Sequence, residues 1–134
     1  MIKLLTSRPG EGKTKEMIAH ANKLLETAKG DVVFIGESNE SILEINHNIR
    51  YIDISEYPLN ATNEFNAFLH GLLGSNYDIQ RVFLDGILNV FIMTPEEMAT
   101  WLDEINGISD KYETNFEISI SLAGDTPECL KKYL

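Results

Sequence analysis

The sequence predicts an α/β fold, a three-layer αβα sandwich around a mainly parallel sheet of about five strands, and three observations carry that reading. Short apolar runs alternate with amphipathic helical stretches along the whole chain, the pattern of successive βα units. One run, Val32-Val33-Phe34-Ile35, is apolar without a break, as a strand covered by helices on both faces must be. The first run passes through a glycine-rich turn straight into a helix, a strand–turn–helix junction.

In chain order, Ile2 to Leu5 reads as the first strand. A helix from about Lys13 to Lys29 follows, with Met17, Ala21, Leu24, Leu25 and Ala28 on one face and Gly30 as its stop. Val32 to Ile35 is the second strand. A short helix around Ser41 to Asn46 and a third strand, Tyr51 to Ile54, come next. The helix of Thr62 to Leu73 puts Phe65, Phe68, Leu69, Leu72 and Leu73 at core-facing spacing and is expected to stop at Gly74. Val82 to Leu84 is strand four. Thr94-Pro95-Glu96-Glu97 then supplies an N-cap, a proline at the first helical position and a capping-box glutamate. The helix it opens carries Met98, Trp101, Leu102 and Ile105, with Gly107 as the expected stop. Phe116 to Leu122 is the last strand, alternating apolar and polar as a half-exposed strand does, and Thr126-Pro127 opens a short terminal helix.

At 134 residues, the chain has room for a single domain, residues 1–134. It is 43% hydrophobic and 24% charged, a globular composition rather than a disordered one. Cys129 is the lone cysteine, and His20, His47 and His70 are scattered, so neither a disulfide nor a zinc site is expected. The apolar stretch Val82 to Met93 is broken by Asp85, Gly86 and Asn89 and is too short to span a bilayer, and no signal-peptide pattern opens the chain. The expectation is a cytoplasmic protein without a membrane span. The net charge is −10, yet six of the eleven Lys and Arg residues lie in the first thirty positions. That balance argues against a general nucleic-acid ligand, which needs many phosphates neutralised, but leaves room for a small phosphorylated one.

The turn after the first strand reads Ser7-Arg8-Pro9-Gly10-Glu11-Gly12-Lys13-Thr14 and ends in the Gly-Lys-Thr of a P-loop. Gly10 and Gly12 allow the backbone to curl around a phosphate, the following helix contributes its positive N-terminal end, Lys13 reaches the terminal phosphates and Thr14 supplies an oxygen to Mg²⁺. The usual first glycine of the motif is Ser7 here. A second carboxylate for the metal is expected at the end of a later buried strand, and Val82-Phe83-Leu84-Asp85 places Asp85 there in a Walker-B pattern. The nucleotide-binding residues expected from these motifs are therefore Arg8 to Thr14, with Thr14 and Asp85 as metal ligands. The cofactors are ATP or another nucleoside triphosphate, and Mg²⁺.

Together these segments resemble the P-loop NTPase superfamily, specifically the RecA-like ATPases of the replicative-helicase and recombinase branch. Arg8 to Thr14 is similar to that branch's phosphate loop, and Val32 to Ser38 to its second strand, which ends in a catalytic glutamate. Val82 to Asp85 is similar to its Walker-B strand, and Ile118-Ser119-Ile120-Ser121-Leu122 to its sensor strand. The resemblance runs from end to end, and implies a truncated, P-loop NTPase-like core with the last strand lying centrally. It also implies that Glu37 orients or deprotonates the attacking water, acting with Lys13 in catalysis. The polar residue that ends the family's sensor strand is missing here, where Ala123-Gly124 stands, leaving Ser121 or Asp125 for that task.

The function expected is a small ATP-binding protein with weak or partner-dependent hydrolysis, whose partner is another protein or a second copy of the chain. The alternative is a degenerate P-loop domain used as an interaction module without turnover. A kinase is disfavoured because Arg50 and Arg81, read as preceding their strands, fall at the opposite sheet edge from a ligand. Trp101, at core spacing with Met98 and Ile105, reads as a packing residue rather than a base-stacking one.

Overall fold

The computed structural model describes all residues except Glu11. Its centre is a sheet of five strands: β1 (Ile2–Ser7), β2 (Asp31–Gly36), β3 (Arg50–Asp53), β4 (Ile79–Leu84) and β5 (Asn115–Ser121). They lie in the order β1-β5-β4-β2-β3, and every neighbouring pair is parallel. The helices are α1 (Lys13–Leu25), α2 (Thr62–Ser75), the single turn α3 (Ile87–Val90) and α4 (Pro95–Tyr112), with 3₁₀ turns at Ile54–Glu56 and Glu128–Tyr133. The predicted α/β architecture is the one observed.

Strand alternation divides the core in two. Val33, Ile35, Val82, Leu84, Ile118 and Ile120 face α2 and α4, whose Phe65, Leu69, Leu73, Trp101, Leu102, Ile105 and Ile108 complete the larger cluster. Val32, Phe34 and Phe83 face α1 through Met17, Ile18 and Ala21. Each buried Val, Leu, Ile, Phe or Met among these contributes about 1.5–3 kcal/mol of hydrophobic stabilisation, the main attachment of the helices to the two faces. Trp101 is fully buried against Phe65 and donates from Nε1 to Asn66 Oδ1 at 3.0 Å, a packing role as expected.

Several boundaries differ from the sequence expectation. The first helix ends at Leu25 rather than Lys29, because Gln80 Oε1 captures the amides of Lys29 and Gly30 at 2.9 and 3.0 Å and draws the chain toward β4. Gly30 is required there by the close approach of the Asp78 carbonyl, not as a helix stop. Ser41 to Asn46 forms turns instead of a helix: Asn22 of α1 donates to the Glu44 carbonyl at 2.9 Å and accepts from the Asn46 amide at 2.8 Å. The helices expected to stop at Gly74 and Gly107 continue to Ser75 and Tyr112. Burying Ile108, the residue after Gly107, outweighs the roughly 1 kcal/mol that a helical glycine costs, and α4 ends instead with Glu113 in the left-handed region at φ 53°. The capping box at Thr94 and Glu97, with Pro95 in the first turn, is present as read.

Two expectations conflict for β5: its alternation suggests a half-exposed strand, and the resemblance implies a central one. It lies between β1 and β4, and its residues from Phe116 to Ile120 are all buried, so the alternation misleads. Glu117 and Ser119 are tolerated there because each is partnered. Glu117 receives Arg81 Nη1 at 2.9 Å and lies 3.2 Å from His20 Nδ1. Arg81 is thus inside β4 rather than ahead of it; Arg50 opens β3.

Candidate functional site

Because all five strands point the same way, the loops that follow them meet at one sheet edge, where ligands of open parallel sheets bind. A cleft of about 170 Å³ lies at this edge. Among the residues that line it are Arg8, Gly10, Gly12, Lys13 and Thr14 from the first loop and helix, Glu37 from the end of β2, and Asp85 from the end of β4. Sequence reasoning named all of these. Pro9 is exposed and outside the lining, and Glu11 lies outside the described residues.

The first loop owes its path to Gly10 and Gly12, at φ 84° and 75°, where any Cβ is strained. Gly12 is also the N-cap of α1 and has no side chain with which to accept from the first helical amides. Lys13 Nζ donates to Ser121 Oγ at 2.7 Å and to Ser7 Oγ at 3.1 Å. Thr14 Oγ1 donates to Asp85 Oδ2 at 2.8 Å, and Asp85 is only 8% exposed. The other carboxylate oxygen, Oδ1, accepts from Ser119 Oγ at 2.7 Å. Two charged groups of opposite sign are therefore each oriented by two hydroxyls, Lys13 by Ser7 and Ser121 at the ends of β1 and β5, and Asp85 by Thr14 of α1 and Ser119 of β5.

Glu37 stands on the β2 side of the cleft. Gly86, at φ 76°, makes room for it: a Cβ at that position would meet Glu37 Cδ at 2.7 Å. The turn that carries Glu37 is pinned by Tyr51, whose hydroxyl donates to the Ser38 carbonyl at 2.5 Å. Burial, and then the carboxylates of Asp53, Asp85, Glu37 and Glu40, push the Tyr51 phenol above its ordinary value, so it remains a donor. Of these carboxylates Glu37 and Asp85 line the cleft, together with the cations Arg8 and Lys13.

The arrangement of Thr14 and Asp85 suits a magnesium ion. Two oxygens in adjacent positions of an octahedral Mg²⁺ site, each about 2.0–2.1 Å from the metal, are roughly 2.9 Å apart. Thr14 Oγ1 and Asp85 Oδ2 are separated by 2.8 Å. The donors are hard oxygens, as that ion prefers.

Ser7, Gly86, Leu88, Asn89, Ser119, Ile120 and Ser121 also line the cleft. Of these, Ser119 went unread as a site residue. Its signal was present in the polar side of β5, where Glu117, Ser119 and Ser121 recur every second position. Of the two residues considered for the missing sensor, Ser121 is in the cleft and Asp125 is not. No protein-family model matches the chain, and no curated protein matches it either. Among the described residues no helix is long and apolar enough to cross a membrane.

Proposed function

We propose that the cleft binds a nucleoside triphosphate, ATP in the first instance, together with Mg²⁺, and hydrolyses it slowly unless a protein partner or a second copy of the chain completes the site. The observation that supports this best is the pairing of Thr14 with Asp85 beside Lys13 in a loop of two left-handed glycines. It brings phosphate-loop and Walker-B residues, 71 positions apart, into one oxygen cage. In that reading the loop and the N-terminal end of α1 hold the phosphates, Lys13 neutralises the terminal one, and Thr14 with Asp85 holds Mg²⁺. The metal would lower the charge on the phosphates, and its other ligands would be phosphate oxygens and water. Glu37 is the carboxylate placed to accept a proton from, or orient, the attacking water. The resemblance to RecA-like ATPases supports the same roles.

A second reading, a P-loop module without turnover, is favoured by one feature. Besides Lys13 the cleft lining holds only one other cation, Arg8, among the described residues, and an arginine finger can be worth about 10³–10⁵ in rate. Titration with fluorescent ATP and ADP, with and without Mg²⁺, followed by phosphate-release measurements, separates the readings. Mg²⁺-dependent binding supports a nucleotide site, and subsequent phosphate release distinguishes an ATPase from a binding module. Failure to bind either nucleotide overturns both.

A further inference from the structure

We propose that Ser119 is a positioning residue that sets the metal preference of the cleft, selecting Mg²⁺ over Ca²⁺ by holding Asp85 in the orientation that presents Oδ2. The inference rests on the nucleotide–Mg²⁺ reading above and assigns the cation discrimination to a side chain that touches neither phosphate nor metal.

The geometry is specific. Ser119 is 2% exposed, on an interior strand paired on both sides, where an apolar residue is otherwise the rule. Its hydroxyl proton goes to Asp85 Oδ1 at 2.7 Å, and its oxygen accepts the Gly86 amide at 3.3 Å. With the donor and the acceptor both used, the hydroxyl has one rotor setting, and Asp85 has one of its two oxygens engaged from below. The remaining oxygen, Oδ2, is the one aimed at Thr14.

That division matters because the two common divalent cations use carboxylates differently. Mg²⁺ takes six ligands in strict octahedral geometry and is content with one oxygen from a carboxylate, or with that oxygen through a bound water. Ca²⁺ takes six to eight ligands at 2.3–2.6 Å and gains from a bidentate carboxylate. The buried hydroxyl takes one lone pair of Oδ1 and fixes the plane of the carboxylate with Oδ2 toward Thr14, so turning it to present both oxygens to a metal strains a charge-assisted hydrogen bond. Ser119 therefore disfavours the larger ion while orienting the group that holds the smaller one.

The test uses the full chain and a fluorescent ATP, titrated with MgCl₂ or CaCl₂ at fixed nucleotide, in the parent and in Ser119→Ala and Ser119→Thr. Alanine is the smaller residue and removes only the hydroxyl; threonine keeps it. The Mg²⁺ concentration for half-maximal binding should rise by about ten- to a hundredfold in Ser119→Ala, as for other losses of a group behind a metal ligand, while the Ca²⁺ value moves less, so that the preference narrows. Ser119→Thr should restore the parent's preference. A thermal melt of each variant separates loss of fold from loss of preference. A parent that binds ATP with Mg²⁺ while Ser119→Ala keeps the same Mg²⁺-to-Ca²⁺ ratio overturns the role of Ser119 and leaves the nucleotide site standing. A parent that binds ATP equally with both ions also overturns it. A parent that binds no ATP overturns the nucleotide reading itself, and this inference with it.

Discussion

Lys13 Nζ donates to Ser121 Oγ at 2.7 Å, tying the first residue of α1 to the last residue of β5 across 108 positions of sequence. The ammonium is thereby held at the mouth of the phosphate loop instead of sweeping through solvent. A group oriented before the ligand arrives loses less entropy on binding it. Lys13→Ala should lower ATP affinity by roughly ten- to a hundredfold, the effect of losing hydrogen bonds to a charged group, while Ser7 and Ser121 remain able to bond to water. Equilibrium binding and a thermal melt on the same preparation check this. An unchanged affinity in the folded variant would mean that the loop does not hold phosphate.

Glu37→Gln separates binding from chemistry. Glutamine keeps the shape that Gly86 accommodates but has neither the charge nor the basicity of the carboxylate. ATP affinity should hold or rise, because a negative group facing the phosphates has been neutralised. Single-turnover phosphate release should fall by about 10²–10⁴, the usual cost of losing a general base. Unchanged release would assign Glu37 to the solvent-facing rim instead.

Where local chemistry decides the structure, the sequence is legible. Thr94, Pro95 and Glu97 place the start of α4 to the residue, and the apolar alternation of Val33 and Ile35 against Val32 and Phe34 specifies a strand covered on both faces. That the glycine-rich first loop, Glu37 and Asp85 come together in one cleft can be read because each sits at the end of an apolar run. What could not be read depends on partners distant in sequence. Glu117 and Ser119 look like the wet side of an edge strand until Arg81 and Asp85 are seen against them, 36 and 34 positions away. The early end of α1 depends likewise on Gln80, and the turns of 41–46 on Asn22. Gly107 misled for the opposite reason, since the burial of Ile108 and Ser109 after it overrides a weak local preference.

The start of α4 also carries a dependence on pH. Glu97 accepts from the Thr94 amide at 3.0 Å, and this bond, then the one with the Thr94 side chain, holds its carboxyl below the ordinary value of 4.5. A carboxylate whose folded pKa is lowered stabilises the fold above its unfolded pKa, and the contribution is lost as pH falls through the folded one. Thr94→Ala removes the hydroxyl that caps the Glu97 amide and should cost about 1 kcal/mol at neutral pH, or roughly 3–5 °C in Tm. Its deficit relative to the parent should shrink below pH 4. Melts from pH 7 to pH 3 check this, and a deficit that stays constant with pH would show that the Glu97 carboxylate is not coupled to the Thr94 hydroxyl.

Gly86→Ala tests whether the backbone at the end of β4 and the Glu37 carboxylate are coupled. At φ 76° a side chain is strained in itself, by about 1–2 kcal/mol for the left-handed region. The added Cβ would in addition stand 2.7 Å from Glu37 Cδ, too close for either to remain in place. These two effects make different predictions. Strain alone lowers Tm and leaves the site's chemistry intact once the protein is folded, whereas displacement of Glu37 lowers phosphate release in the folded protein and spares ATP binding. We expect both, with release falling toward the level of Glu37→Gln. The double variant then resolves the cause: if Gly86 acts on catalysis through Glu37, Gly86→Ala in the Glu37→Gln background should lower Tm further but reduce phosphate release no more. A further drop in release would show that the methyl group disturbs Asp85 or the phosphates directly.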